Sequence, residues 1–385
     1  MGVMWRIFLT VSLLCWSADG QVKCRDNNNA EVDWYIIYKV PVTDKTTGLE
    51  YLYIDSAGKK KDTLTTDPTY KPINHPNGVL ANTLRPIFTT SMTDNFGFIT
   101  YSDQPPGCNA IDTFGHSKGL VMMDKTTTGV WLLHSTPRFP FRRDQNKFWP
   151  DSGAKNAQTF ICVTFNYNTF QQIGQHLLDI NAFTFDDHIP NNFHENLKNL
   201  RRTENNNRPQ RVNQVKIQDL TSAGGTLFRS IAKKQYEGGE EPEDDQCGDE
   251  PPPTKKPRTE PPPTIQEPKE EYDGDLYLTI AETYTTNVKV QTWCSKKESS
   301  YCKGPQVIRI KSVKTNLGNV EVKWRPGKDH SKWCVAKNNN NHLICIADVN
   351  RALSQYERPG GGLCFIHQQA SELFKGVIAE TEDCR

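Results

Sequence analysis

After its first twenty residues the sequence has no long apolar run, and nothing approaches the ~20 continuous apolar residues that a membrane-spanning helix needs. A helical membrane protein is excluded on that ground, and no membrane partner is expected. There is no CxxC pair, and no set of carboxylates, histidines or cysteines at ligand spacing, so neither a metal nor any other cofactor is implied. There is also no Asn-x-Ser/Thr sequon, so no N-linked glycan is expected. The one sustained apolar run, Ile7 to Trp16, follows a short basic start and ends in Ala18-Asp19-Gly20. That pattern predicts a secretory signal peptide over 1–20 and a mature chain from Gln21.

Ten cysteines remain after that segment, six of them between 294 and 384. In a secreted chain they read as disulfides, with the C-terminal part cross-linked to itself. The formal net charge of +1 hides a segregation. Residues 237–275 carry fourteen acidic and four basic side chains, a net −10 that leaves +11 on the remainder. A basic body with an acidic tether suits a polyanionic ligand.

That acidic stretch holds nine prolines and two PPPT repeats with almost no large apolar side chains, and it predicts a disordered linker or loop open to proteolytic nicking. The KKPR inside it, at 255–258, reads as a solvated charge cluster or an import signal. The linker divides the mature chain into an N-terminal half, 21–236, and a C-terminal half, 276–385. Runs such as VDWYIIYKV, YLYID, FGFITYSD and TFICVTF read as strands, and GLVMMDKTTTGVWLLHST as a hairpin. QQIGQHLLDI, LFRSIAKKQ, CIADVNRALSQYERPGGG and QASELFKGVIAE carry helical spacing, while LYLTIAETYTTNVKVQTW and QVIRIKSV read as strands. The expected class is mixed α and β, in two halves of similar content.

The tripeptide His-Ser-Lys occurs once in each half, at His116-Ser117-Lys118 and His330-Ser331-Lys332. On an extended chain residues i and i+2 share a face, so each histidine would project with its lysine. That pairing suits phosphoryl chemistry: the ammonium neutralises a nonbridging oxygen, a neutral imidazole attacks phosphorus, and a protonated one feeds the leaving oxygen. Two copies facing each other would supply nucleophile and acid without a metal.

The neighbouring residues go further. SDQPPG at 102–107, GHSKG at 115–119, HSTPRFP at 134–140, DHSKWC at 329–334 and GGGLC at 360–364 resemble the deoxyribonuclease II family, and the resemblance runs from VDWYIIYK at 32–39 to the last cysteine. It implies a two-lobed pseudodimer of the phospholipase D type, each half with a central mixed sheet flanked by helices and each giving one HxK motif to a shared site. It also implies an acid endonuclease, independent of divalent metal, that cuts double-stranded DNA to 3′-phosphate and 5′-hydroxyl ends through a phosphohistidine.

Carried over by position, the catalytic set is His116, Lys118, His330 and Lys332, with His134 supporting the site or touching substrate. By analogy with phospholipase D, His116 is the nucleophile and His330 the acid, but nothing in the residues distinguishes this from the reverse. The Asp of the phospholipase D pattern has no clear counterpart, since Asp124 lies one position too far and the second motif offers Lys337 and Asn338. The resemblance pairs Cys24 with Cys162, Cys302 with Cys384 and Cys345 with Cys364. Arg138, Arg142, Arg143 and Lys147, interleaved with aromatics, are the expected DNA contacts, and 196–216 offers a second basic run.

The destination implied is the lysosome, phagolysosome or exterior, although missing sequons remove the usual glycan address. No protein partner is implied, and the oligomeric state stays open. A phospholipase D-type lipid phosphodiesterase shares this chemistry, but no amphipathic membrane-binding helix accompanies it. A secreted, non-catalytic DNA-binding or toxin-like protein on the same scaffold is disfavoured by the two intact HSK motifs.

Overall fold

The computed structural model describes residues 21–62, 71–89, 91–108, 110, 113–201, 212–236, 274–293 and 299–384. The expected signal peptide and the linker up to residue 273, with KKPR, lie outside them. Among the described residues no helix is long and apolar enough to cross a membrane.

A two-stranded ribbon, β1 (Cys24–Arg25) and β2 (Glu31–Val32), precedes the first sheet. That sheet contains β3 (Trp34–Lys39), β4 (Tyr51–Asp55), β5 (Lys60–Asp62), β6 (Phe96–Ser102), β7 (Lys118–Asp124), β8 (Thr128–His134), β9 (Gln158–Asn166) and β10 (Thr184–His188), in the order β10-β6-β7-β8-β9-β3-β4-β5. Its inner strands, such as β3 and β9, are apolar almost throughout because both faces are covered. Trp34, Ile36 and Tyr38 of β3 face one core while Tyr35 and Ile37 face another, the period of two expected of a strand. Every pairing in it is antiparallel, which corrects the expected mixed sheet in this half. The succession β6 to β9 runs up and down between sequence neighbours, and such a meander leaves no place for a parallel pair.

The second sheet contains β11 (Lys216–Thr221), β12 (Leu227–Ala232), β13 (Val288–Gln291), β14 (Val307–Leu317), β15 (Val320–Trp324), β16 (Trp333–Ala336), β17 (Leu343–Ala347), β18 (Gly361–Ile366) and β19 (Ile378–Thr381). One pairing, β13 with β14, is parallel. Strands β11 and β12 come from before the linker yet join β18, which comes after it. The inner faces of both sheets share one core, in which Trp34, Tyr38, Ile161 and Phe165 meet Trp333, Ile344 and Phe365. Helix α1 (Val79–Leu84) covers the outer face of the first sheet and α4 (Leu276–Thr283) that of the second. The remaining helices are α2 (Phe170–Asp179), α3 (Glu195–Asn199), α5 (Leu353–Tyr356) and α6 (Gln368–Gly376).

Three local expectations fail for identifiable reasons. LYLTIAET is α4 rather than a strand: the Asp275 carboxylate caps it, accepting from Tyr277 N at 2.8 Å and Leu278 N at 3.3 Å, and Leu276, Tyr277, Ile280 and Ala281 then fall on one buried face. LFRSIA is β12 rather than a helix, because the turn at Gly225 (φ +90°) folds it back on β11. CIADVNRALSQYERPGGG is helical only at α5; Cys345 sits in β17 directly opposite its disulfide partner Cys364 in β18.

The Cys24–Cys162, Cys302–Cys384 and Cys345–Cys364 disulfides are all present. Cys108 is a free exposed thiol and Cys334 a free buried one.

Candidate active site

The first HSK enters β7 at Lys118. Ser102 at the end of β6 pairs with Lys118, so the next residue, Asp103, stands beside the motif. Its carboxylate takes Lys118 Nζ at 2.5 Å on one oxygen and His116 Nδ1 at 2.8 Å on the other. Arg358, from the loop after α5, adds Nη2 at 3.4 Å to that second oxygen and reaches Phe114 O at 3.1 Å. Burial opposes the charge of Asp103, yet His116, Lys118 and Arg358 together hold its carboxyl well below the usual range. The backbone is fixed as tightly: His116 N donates to Pro359 O at 3.0 Å and Gly115 N to Asn181 O at 3.0 Å. A side chain at Gly115 would sit 2.0 Å from Ile180 O, so only glycine allows this approach.

Arg358 is itself held from below. Asp275, besides capping α4, accepts from Arg351 Nε at 2.7 Å and Tyr356 Oη at 3.1 Å, which anchors α5 and the loop that follows it. The C-terminal half thereby supplies a charged group to the N-terminal motif.

The second HSK is positioned through its backbone. His330 N donates to Ala157 O at 2.9 Å and Ala157 N to Lys328 O at 2.8 Å, a parallel bridge between the halves. The buried Asp329 carboxylate accepts from Tyr38 Oη of the first sheet, from Trp324 Nε1 at 2.7 Å and from Ser331 N at 2.9 Å. The His330 ring has no carboxylate neighbour in hydrogen-bonding range among the described residues. Its Nε2 lies 3.2 Å from Asn156 Nδ2, and the Trp293 ring packs at 4.4 Å between centroids. Lys332 Nζ donates to His330 O at 2.9 Å.

Electrostatics tie the motifs together. Burial pulls the His116 imidazole down to about 3, with Lys118 and Lys332 adding to the effect and Asp103 resisting it. Burial, then Lys332, Lys118 and His116, pull His330 down to about 2. Burial and the Lys118 charge pull Lys332 down to about 7. Each motif thus feels the charges of the other. Both shifts favour the neutral imidazole.

His134 closes β8, one register step beyond the Gly119–Leu133 pair, beside Lys118. Its ring lies against Phe160 and edge-on to Phe139, Nδ1 accepts from Thr136 N at 3.2 Å, and Nε2 makes no hydrogen bond among the described residues. Burial and Lys118 pull it down to about 3.

The four expected DNA contacts divide. Arg143 is forked onto Asp186 at 2.7 and 3.0 Å, Arg142 onto Asp144 at 2.9 and 2.7 Å, and Lys147 pairs with Asp151 at 2.9 Å. Arg138 alone is exposed without an ion pair among the described residues, and its N donates to Gln104 O at 2.9 Å, one residue from Asp103. With Pro105, Pro106, Cys108, Phe141 and Arg142 it lines a cavity of about 470 Å³. Residues 202–211 of the second basic run lie outside the described residues.

Asp124, weighed above as a histidine partner, instead bonds the turn at Thr126. Asp103, Asn156, Trp293 and Arg358 were missed. Asp103 stands inside SDQPPG and Arg358 two residues before GGGLC, so both adjoin stretches that carry the resemblance; Asn156 and Trp293 give no sequence signal.

The family model for Deoxyribonuclease II matches residues 23–384. Deoxyribonuclease-2-beta of Mus musculus is 30% identical over 384 residues, covering 94% of this chain and 96% of the relative. Deoxyribonuclease-2-alpha of Sus scrofa is 27% identical over 389 residues, covering 98% and 94%. Plancitoxin-1 of Acanthaster planci is 28% identical over 382 residues, covering 94% and 92%.

Proposed function

From the premise that this chain belongs to the deoxyribonuclease II family and is a deoxyribonuclease, we propose a metal-independent acid endonuclease of double-stranded DNA with little sequence preference. His116, Lys118, His330 and Lys332 do the chemistry, with His134 in support. The observation that carries this reading is the asymmetry of the two motifs, with a carboxylate among the described residues on His116 and none on His330.

Asp103 accepts from Nδ1–H of His116, which leaves Nε2 bare to attack phosphorus. Lys118 and Lys332 bind the nonbridging oxygens and stabilise the charge that develops on them. His330 gives its proton to the departing 5′-oxygen, so a 5′-hydroxyl leaves and the 3′-phosphoryl stays on His116. Water then loses a proton to His330 and attacks phosphorus, releasing the 3′-phosphate and restoring both imidazoles.

The acid preference has a physical cause. His330 must be charged to act as acid, but burial and both lysines disfavour that charge. The bound phosphodiester offsets part of the penalty, and low pH supplies the rest. A phosphate contact from Arg138 makes binding salt-dependent without reading sequence.

We read the two sheets, each entered by an HSK, as the lobes of a phospholipase D-type pseudodimer. The disulfides fit an oxidising secretory route to the lysosome or exterior. The test is plasmid cleavage at pH 5 in excess EDTA, with the new ends typed by phosphatase and polymerase. Cleavage leaving 3′-phosphates is expected; cleavage that needs added magnesium would overturn the mechanism.

A further inference from the structure

Asp348 follows β17 directly, beside the second motif, where Ala347 N donates to Lys332 O at 2.8 Å and Asp348 N donates to Gly361 O at 2.9 Å. Its side chain is buried, at 4% exposure, and neither carboxyl oxygen has a hydrogen-bond partner among the described residues. The Gly361 amide acts on it electrostatically without reaching hydrogen-bond geometry. A buried carboxylate left unbonded costs several kcal/mol, so such a group either serves a ligand or stays neutral. The charges acting on it are those of the site itself: Lys118 from β7 and Lys332 before β16, both favouring ionisation, and Asp103 after β6, opposing it. Tyr101 of β6 and Tyr277 of α4 feel its charge in turn. Neither lysine is bonded to it; Lys118 is committed to Asp103 and Lys332 to His330 O.

Building on the nuclease reading, we propose that Asp348 is a further catalytic residue: as a neutral carboxylic acid it donates a hydrogen bond to a nonbridging oxygen of the phosphodiester held by Lys118 and Lys332. Burial pushes its carboxyl well above the usual range, with the two lysines only partly opposing, so the proton is in place at acid pH. An ionised Asp348 would accept only, and it would repel the phosphodiester from the two lysines. The same proton therefore serves binding and transition-state charge, and losing it as pH rises adds to the acid preference.

The experiment compares the wild type with Asp348→Asn and Asp348→Ala in single-turnover DNA cleavage from pH 4 to 8. The amide keeps a donor that does not titrate. Asp348→Asn is expected to stay within about tenfold of wild type at pH 5 and to carry activity about one pH unit further toward alkaline. Asp348→Ala, lacking the donor, should lose on the order of 10²-fold, as for one oxyanion donor. An Asp348→Ala rate equal to wild type, or an Asp348→Asn profile superimposable on wild type, overturns the proposal.

A second measurement needs no variant and no nuclease activity. Difference infrared spectra of the wild type at pH 5 on adding inorganic phosphate should show a protonated carboxyl band that shifts on binding; phosphate binding with no such band overturns the proposal. If wild type fails to cleave DNA but shows the band, the nuclease reading falls and the phosphate-donor role stands.

Discussion

Around His116 the polar neighbours are charged side chains, Asp103, Lys118 and Arg358, whereas the His330 ring meets an amide and an indole face and its motif is held through main-chain bonds. The two tripeptides are spelled alike, so the difference comes entirely from what the fold brings to each. A carboxylate on Nδ1 fixes a tautomer and stabilises the positive charge that an attacking imidazole acquires. A ring surrounded by neutral groups and facing two lysines gives up a proton readily. In our reading the first environment makes a nucleophile and the second an acid.

The largest effects should come from removing either ring. His116→Ala and His330→Ala should each lose on the order of 10⁴-fold in DNA cleavage, as expected for residues that act as a unit. Substrates with an activated leaving group separate the two. A nitrophenyl ester of thymidine 3′-phosphate needs no acid, so His330→Ala should recover most of its rate on it and His116→Ala none. Recovery by His116→Ala instead would reverse the assignment.

Each motif also has one buried aspartate, and the pair sharpens the comparison. Asp103 touches functional groups; Asp329 touches an indole, a phenol and a main-chain amide. Asp103→Asn should therefore cost about 10²- to 10³-fold in rate, because the amide no longer fixes the Nδ1–H tautomer. Asp329→Asn sets an NH₂ among three donors, and should cost about 3 kcal/mol of stability while the folded fraction stays within about tenfold of normal activity. Denaturant melts alongside single-turnover rates test both, and equal rate losses would show that Asp103 too is merely structural.

The lysines differ in titration. Lys332, pulled down to about 7 by burial and Lys118, is charged at pH 5 and becomes neutral as pH rises through 7, taking one phosphate-binding cation with it. Lys332→Arg keeps its charge, so its alkaline limb should move up by about one pH unit, with a peak rate about tenfold lower because the guanidinium fork fits differently. A pH–rate profile from 4 to 9 checks this.

How much was legible follows the length scale of the cause. Strands such as VDWYIIYKV and TFICVTF were readable because burial on both faces makes them apolar throughout, and QQIGQHLLDI because its helical face is local. LYLTIAET was misread because its β-branched and aromatic residues suit a strand until Asp275 caps them. The HSK residues were readable by repetition and resemblance. Asp103 was not assigned, since it lies 13 residues before His116 in sequence and meets it only through the β6–β7 pairing. Arg358, 242 residues away, arrives through packing of the two halves, which nothing local encodes.

The smallest predicted effect concerns the expected DNA contacts, where composition overstated what is free to bind. Four basic residues were read as a patch, but Arg142, Arg143 and Lys147 are each matched by an aspartate of the same surface, and an exposed pair is worth little to stability yet still occupies the cation. Of the four, Arg138 is the one without an ion pair among the described residues, and its backbone is tied to Gln104 beside the first motif. Arg138→Ala should raise KM several-fold, leave kcat unchanged and reduce the slope of log affinity against log salt by about one. Arg143→Ala should leave that slope unchanged, because the cation it removes was already neutralised by Asp186. If both variants shift the slope equally, the ion pairs open on DNA and the whole basic stretch binds as composition alone suggests.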